Sequence, residues 1–304
     1  MQRIRLLRVG LYRVASWVKH QLTARNTGGH GVHSPSLFEW VRMVMDDKNS
    51  FYAWEQIEEV RSRMLADDRV VAFVDYGSGG LQSKQDIGRH QRCLQDASLQ
   101  DRCKSRKVRD IAKGSLAKKK YAQMLARLVN WLGASHGLEN GSRTADSLEH
   151  RGLTIVELGT SLGVTTAYMA AVDSRNKVIT YKGCEAVAEI AKENWQSLGL
   201  NNITCHVGEI DVERLARELQ KVDVAFIDAN HTYAGTRAYF NMLATKVHAK
   251  SVLVVDDIHY NEEMGKAWEE ICADDRVTTT MDLYQMGLVF FDTNYWKKHY
   301  RMRI

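Results

Sequence analysis

The sequence has very little proline and no paired cysteines. Pro35 is the one proline among 304 residues, so no motif that needs two prolines is present. The five cysteines form no Cys-x-x-Cys pair, so we expect neither a disulfide framework nor a zinc knuckle and place the protein in the reducing cytoplasm. No run of 18 or more apolar residues occurs, so the sequence predicts no membrane-spanning helix. With 44% hydrophobic residues, the chain can still form a packed core.

The net charge of +5 is distributed unevenly along the chain. Residues 1–25 hold six Lys or Arg and no acid, and residues 82–120 hold twelve Lys or Arg against four Asp. The rest of the chain must therefore carry a net charge of −9. Two basic segments of this kind fit an anionic partner, such as nucleic acid, a lipid surface or an acidic substrate. They also fit solvated surface that has no partner.

Residues 1–25 have the pattern of an amphipathic helix. Arg8 and Arg13 interrupt the apolar stretch that a signal peptide needs. Such a helix either packs on its own domain or lies on a membrane surface, and the sequence leaves both open. The apolar residues that recur at helical spacing are Ile4, Leu7, Leu11, Val14, Trp17 and Val18.

We divide the chain into two predicted regions. Residues 1–114 form a mostly helical N-terminal extension that contains most of the second basic segment, with helices over 1–25 and 36–66 and a short strand within 69–80. Between these two helices, the loop NTGGHGVHSPS is either a lid over a substrate site or an ordered turn. Residues 115–304 form the second region, which includes a helix over 120–132 and a polar linker over 133–152.

From residue 153 onward, apolar runs alternate with helical patterns. This alternation predicts an α/β fold, a doubly wound and mostly parallel sheet with helices on both faces. Ligands of such sheets lie at the carboxyl ends of the strands, so we expect the chemistry there. The runs are LTIVEL, KVITYKGCE, NITCHVG, VDVAFIDA, SVLVVDD, VTTTMDL and GLVFF.

The first of these runs ends in a glycine turn, VELGTSLGVTTAYMAA. Gly159 and Gly163 bracket the turn, which allows a ligand to approach the backbone closely. The spacing is G-x-x-x-G and not the G-x-G-x-x-G of dinucleotide binders. Glu157 precedes the first glycine by two residues, where its carboxylate would repel a pyrophosphate. The turn therefore suits a cationic ligand that lacks phosphates.

The next two strand ends also carry groups that suit a nucleoside. Glu185 closes the second run and can accept hydrogen bonds from ribose hydroxyls, and Gly208 and Glu209 follow the third run, where they can line an adenine. Together these strand ends resemble a class I S-adenosylmethionine-dependent methyltransferase over residues 115–304. The resemblance implies a Rossmann-like sheet of seven strands with the last antiparallel. It also implies that the cofactor is held by Glu157, Gly159, Thr160, Gly163, Glu185, Gly208, Glu209 and Asp228.

The fourth and fifth runs carry a closer resemblance. They end in FIDANHTY and VLVVDDIH, which resemble the metal-dependent O-methyltransferases of the catechol O-methyltransferase type. The resemblance implies that Asp228, Asp256 and Asp257 bind Mg²⁺ or another divalent cation, and that Asp228 and His231 are catalytic. His231 stands where the family has a lysine base. The segment KKYAQMLARLV also resembles the family's turn over the methionine end of the cofactor.

These residue types suit methyl transfer to oxygen. A cation held by carboxylates lowers the pKa of a substrate hydroxyl, and a nearby base takes its proton. We therefore expect an O-methyltransferase that acts on a small molecule. The sequence leaves open whether the protein forms a homo-oligomer. The single proline disfavours the nucleobase methyltransferases that carry an [N/D]-P-P-[Y/F] or a Pro-Cys motif. An RNA methyltransferase that uses the basic segments, or a non-catalytic cofactor-binding or membrane-surface protein, remains an alternative.

Overall fold

The computed structural model describes residues 2–74, 103–136 and 152–304. It has two compact units, which we name the central unit, Lys48–Asp211, and the terminal unit, Met1–Asp47 with Val212–Ile304. Most of the second basic segment, the end of the predicted strand within 69–80 and most of the predicted linker lie outside the described residues. The division of the chain at residue 114 into an extension and a catalytic region stays a prediction.

The central unit contains two sheets with flanking helices. Strands β1 and β2 form an antiparallel pair, whereas β3, β4 and β5 lie side by side in parallel. Trp54, Ile111, Tyr168 and Trp195 belong to one buried cluster that joins the helices to these strands. The elements are α3 Ala53–Ala66, β1 Val70–Val74, β2 Cys103–Lys107, α4 Val108–Ser115, α5 Lys119–His136, β3 Thr154–Leu158, α6 Val164–Ala170, β4 Lys177–Lys182, α7 Glu185–Ser197 and β5 Ile203–Val207.

The terminal unit contains five further strands. Strands β6 and β7 are parallel, β9 runs antiparallel between β7 and β8, and β10 lies parallel to β8. All residues of β6, β7, β8 and β9 are buried, as expected for strands covered on both faces. The elements are α1 Gln2–Thr23, α2 Pro35–Trp40, α8 Val212–Glu218, β6 Val224–Ile227, α9 Tyr233–Leu243, β7 Val252–Asp256, α10 Glu262–Ala273, β8 Thr279–Asp282, β9 Met286–Phe290 and β10 Lys298–Arg301.

The predicted α/β fold is confirmed, with one strand more than expected. Each of the seven predicted apolar runs contains a strand, β3 to β9, and the last of them is antiparallel to its neighbours. The eighth strand, β10, was not predicted because its sequence KHYR has no apolar run, and Lys298 and His299 are exposed. The structure therefore gives eight strands from residue 152 onward, three in the central unit and five in the terminal unit.

The prediction of one continuous helix over 36–66 is wrong. The structure has α2, then a π-helical turn over Val41–Met45, then a non-helical segment before α3 begins at Ala53. This segment carries the polar run DDKNS, residues 46–50, whose short side chains compete with helical hydrogen bonds. The strand β2 was also missed, because its sequence CKSRK lacks the apolar alternation of a strand.

A buried carboxylate joins α1 to the last strands of the terminal unit. Asp282, at the end of β8, accepts a hydrogen bond from His259 at 2.9 Å, and its Oδ1 lies 3.3 Å from Nε2 of His20 on α1. Burial opposes ionisation of Asp282, but the hydrogen bonds with His20 and His259 outweigh it and hold the pKa of this carboxyl well below its usual 3.8. The ionised form of Asp282 therefore stabilises the folded chain.

Replacing Asp282→Asn is expected to destabilise the protein by about 3–5 kcal/mol at neutral pH, because two imidazoles lose a buried anionic partner. Since the folded-state pKa is lowered, this contribution is present above pH 3.8 and disappears as the pH falls toward the folded-state value. Urea unfolding from neutral to acidic pH measures it, with the exposed Asp275→Asn as control. A loss below about 1 kcal/mol at neutral pH contradicts the assignment.

Candidate functional site

In the central unit, three parallel strands bring their carboxyl ends to one edge. Leu158 at the end of β3 pairs with Tyr181 of β4, and Val207 at the end of β5 pairs with Lys182. The chain segments that follow these strands therefore emerge side by side. They contain the glycine turn after Leu158 and the predicted residue Gly208 after Val207.

The glycine turn has backbone geometry that favours glycine. Gly159 has a φ of 114° and Gly163 has a φ of 78°, and Ser161 between them also has a positive φ of 47°. The Gly159 and Thr160 N–H groups donate to the Tyr181 carbonyl at 3.1 and 3.2 Å. Gly163 then caps the N-terminus of α6. The predicted strand–turn–helix geometry at this position is thus present.

The predicted residue Glu157 is completely buried, with an exposed fraction of 0%. Its Oε2 accepts hydrogen bonds from the hydroxyls of Thr166 on α6 and Thr180 on β4, at 2.5 and 2.6 Å. Thr160 is buried as well, and its hydroxyl lies 2.6 Å from that of Thr180. Glu157 and Thr160 therefore hold the turn in place from inside the unit. Their contact with a cofactor stays a prediction.

The other predicted cofactor residues lie near the same strand ends. Glu185 is exposed and begins α7, three residues after β4 ends at Lys182. Gly208 has a φ of 119°, and its N–H donates to the Lys182 carbonyl at 2.9 Å. Glu209, which follows it, is exposed. The chain segments after β4 and β5 therefore place two carboxylates at the surface, where a ligand can reach them.

In the terminal unit, the parallel strands β6 and β7 bring three further predicted residues together. Nε2 of His231 lies 3.2 Å from Oδ1 of Asp228 and 3.7 Å from Oδ2 of Asp257. Asp257 has a φ of 54°, an uncommon conformation for a residue other than glycine. The three side chains are partly exposed, so they can contact a ligand and one another.

Asp256 closes β7 and is the most deeply buried carboxylate of this group. Its Oδ1 is buried and has no hydrogen-bond partner among the residues that the structure describes. Burial raises the pKa of Asp256 well above its usual value, and the neighbouring charges of Asp228 and Asp257 raise it further. A carboxylate in this environment needs either a proton or a cation.

The pKa values of the two partly exposed neighbours are also shifted. Burial raises the pKa of Asp257, and the Asp228 charge adds to this, whereas the charges of His231 and Arg13 oppose it. Burial opposes protonation of His231, but the hydrogen bond with Asp228 and the charges of Asp228 and Asp257 outweigh it and raise the pKa. An imidazolium at His231 is therefore stabilised by both carboxylates.

A divalent cation fits this donor set chemically. Three carboxylates from two strand ends, one of them with an unpartnered buried oxygen, supply the hard oxygen ligands that Mg²⁺ prefers. As the side chains stand, no group of three or more His, Cys, Asp or Glu residues within the described ranges is arranged to hold a metal ion. His231 lies within 4 Å of two of the carboxylates and, in its protonated form, compensates part of their charge.

Sequence reasoning missed three residues that surround this group. Gln285, between β8 and β9, donates a hydrogen bond to Oδ1 of Asp257. Arg13 on α1 stacks over the Tyr260 ring at 5.5 Å, and this ring lies 6.0 Å from that of His231. No local pattern indicates these contacts, because they join segments that are far apart in the sequence.

The loop with the single proline has an anchored beginning. Asn26 and Arg301 exchange hydrogen bonds, and the Arg303 N–H donates to the Thr27 hydroxyl at 3.0 Å. Ser34 caps α2, and Pro35 occupies its first turn. These contacts support an ordered turn at the start of the loop. A lid role for His30 and His33 stays a prediction.

Comparison with known proteins finds one family model that matches a segment of the chain. Residues 156–258 match a family model described as a methyltransferase domain. The O-methyltransferase of Bacillus cereus in complex with SAH is 17% identical, with a TM-score of 0.50 over 84% of this chain and 97% of that one. This similarity shows a shared fold. No curated protein matches the chain in the sequence comparison.

Two further solved structures are similar over nearly their whole length and over part of this chain. The SAH-bound methyltransferase PaMTH1 of Podospora anserina is 10% identical, with a TM-score of 0.44 over 81% of this chain and 98% of that one. The O-methyltransferase TomG of Streptomyces achromogenes, in complex with SAM, is 18% identical, with a TM-score of 0.40 over 59% of this chain and 93% of that one.

Proposed function

We propose that this chain, which has the Rossmann-like fold of class I methyltransferases and carries a methyltransferase domain over residues 156–258, methylates a hydroxyl group of a small molecule. The methyl donor in this proposal is S-adenosylmethionine. The observation that supports it most strongly is the turn Gly159–Gly163, where two glycines let a ligand approach the backbone at the end of β3. The buried carboxylate of Glu157 lies two residues before this turn.

The charge of the turn favours S-adenosylmethionine over a dinucleotide. The Glu157 carboxylate is fixed by two threonine hydroxyls and disfavours a pyrophosphate, whereas a sulfonium carries a positive charge and no phosphate. Glu185 is exposed at the start of α7, where it can accept hydrogen bonds from ribose hydroxyls. Gly208 and Glu209 follow the next strand and are assigned to the adenine.

The acidic group of the terminal unit is assigned to the acceptor. Asp228, Asp256 and Asp257 are the residues that would hold a divalent cation, and such a cation, when bound, lowers the pKa of an acceptor hydroxyl. The unpartnered Oδ1 of Asp256 and the raised pKa of this residue support a cation at these carboxylates.

His231 is assigned as the group that accepts the hydroxyl proton. Its Nε2 faces Asp228 and Asp257, which hold the ring in place and raise its pKa. A base acts in its neutral form, so activity should rise with pH through the raised pKa of His231. The nearby Arg13 charge favours ionised Asp257.

Titration calorimetry with S-adenosylmethionine tests the cofactor part of the proposal. The wild-type chain is expected to bind the cofactor with about micromolar affinity. Glu185→Ala should weaken binding about 10- to 100-fold, because the ribose loses hydrogen bonds to a charged acceptor. Glu189→Ala is the matched control, since Glu189 is also exposed on α7, one turn further along. Failure of the wild type to bind contradicts the whole proposal.

Titration calorimetry with Mg²⁺, on the chain with and without the cofactor, tests the cation part. Wild type should bind Mg²⁺, and Asp228→Ala should lose this binding, whereas the exposed Asp275→Ala should keep it. If the wild type binds the cofactor but no heat of Mg²⁺ binding is found, the cation is excluded and the methyltransferase proposal stands.

A further inference from the structure

The helix α1 turns its apolar side to solvent. Leu11, Val14, Val18 and Leu22 recur at intervals of three and four residues, so they share one face of the helix. Their exposed fractions are 66%, 64%, 43% and 75%. Trp17, at the edge of this face, is 51% exposed. We name these five residues the outer face of α1.

Polar contacts attach α1 to the terminal unit, on the side opposite the outer face for Arg13 and His20 and beside that face for Arg8. Arg8 pairs with Glu262 of α10 at 2.9 Å, and the Tyr284 hydroxyl donates to the Arg13 carbonyl at 2.7 Å. His20, which is buried, lies against Asp282. The usual arrangement of a surface helix, with its apolar face inward, is therefore reversed. Packing within the terminal unit therefore does not explain why the outer face is apolar.

The charge of this part of the chain favours an anionic partner. Residues 1–25 contain five arginines and one lysine and no acid. Lys19 and Arg25, on the described part of this segment, are exposed. A second copy of α1 would place two such basic helices side by side without acidic residues to compensate, which opposes self-association.

We propose that α1 binds the surface of a lipid bilayer that contains anionic lipids. The outer face enters the boundary between headgroups and acyl chains, and the basic side chains contact lipid phosphates. The 22 residues of α1 give a length of about 33 Å, and the helix lies in the plane of the surface. Within the described ranges, no helix is long and apolar enough to span a bilayer, so the attachment is peripheral. Trp17 takes the headgroup level that tryptophan prefers.

Flotation of the full chain with vesicles tests the proposal. Vesicles of phosphatidylcholine with added phosphatidylglycerol should carry the chain at least about tenfold more than phosphatidylcholine alone. Raising the salt from about 0.1 M to about 1 M, which shortens the Debye length from about 10 Å to about 3 Å, should reduce this binding. The double variant Leu11→Glu with Leu22→Glu should bind at least about tenfold less.

The control variant is Tyr52→Glu with Leu65→Glu, which adds the same charge at two exposed apolar positions on the central unit. It should float like the wild type. A second variant, Leu22→Ser, removes one apolar side chain of the outer face without adding charge and should give a partial loss. Circular dichroism confirms that each variant is folded.

Three results would overturn the proposal. The first is flotation that does not depend on anionic lipid. The second is equal flotation of the Leu11→Glu, Leu22→Glu variant and the wild type. The third is a dimer, detected by sedimentation, whose affinity increases with salt. Such a dimer would show that the outer face binds a second copy of the chain. None of these results depends on the methyltransferase proposal, which calorimetry tests separately.

Discussion

Gly163→Ala is expected to destabilise the protein by about 2–5 kcal/mol and to abolish cofactor binding. The added Cβ would lie 2.5 Å from Nε1 of Trp195 and 2.9 Å from Cβ of Ala191, closer than any van der Waals contact allows. Trp195 is buried, and its N–H donates to the Gly163 carbonyl at 2.8 Å, so the indole has little room to move. In addition, the φ of 78° is unfavourable for alanine.

Gly199→Ala is the matched control for this variant. Gly199 has a similar φ of 67°, also lies in the central unit, and has open space where a Cβ would be added. The free energy of unfolding of Gly199→Ala should therefore fall by only about 1–2 kcal/mol, the cost of the positive φ for alanine. This variant should keep S-adenosylmethionine binding. Urea unfolding gives the two free energies, and calorimetry gives the binding. Equal losses in the two variants would show that the indole moves aside and that the turn is not held by this contact.

Five of the strands that were predicted correctly share one physical property. β3, β4, β6, β7 and β9 are buried on both faces, so their sequences are continuous apolar runs that stand out from the helices around them. β2 and β10 carry charged residues and gain their structure from pairing with a neighbour, β1 and β8 respectively. Pairing of this kind leaves no periodic signal in the strand itself.

The candidate site was predictable where its residues follow directly on strand ends. Asp228 and Asp256 lie near one another, because parallel strands end at the same edge of a sheet. The contact of Gln285 with Asp257 spans 28 residues, and the effect of Arg13 on Asp257 depends on how α1 attaches to the unit. Long-range contacts of this kind depend on tertiary packing, which the spacing of residue types does not record.

The burial of Glu157 also follows from packing and not from the strand pattern. The sequence placed an acid two residues before Gly159, which suggested a carboxylate facing a ligand. The residue pattern of β3 does not indicate which way the Glu157 side chain points, because both faces of this strand are covered. The threonines that bond Glu157 lie 9 and 23 residues further along the chain.

Asp256→Asn is expected to stabilise the chain in the absence of metal, by about 1–3 kcal/mol at pH 8, while abolishing its response to Mg²⁺. Asparagine keeps the shape of the side chain but removes a buried charge that lies beside Asp228 and Asp257. The folded-state pKa of Asp256 is raised, so the wild type loses stability as the pH rises through that value. The variant has no such loss, and its advantage should vanish below the ordinary pKa of 3.8.

Urea unfolding with and without Mg²⁺ separates a cation site from a structural acid. A cation that binds the folded wild type at about 100 times its Kd adds about 2.7 kcal/mol to the free energy of unfolding. Asp256→Asn should gain much less than this, whereas the control Asp275→Asn, at an exposed position, should gain as much as the wild type. If Asp256→Asn destabilises the metal-free chain and keeps the Mg²⁺ response, then Asp256 is a protonated structural residue. In that case the cation, where one binds, is held by the other carboxylates alone.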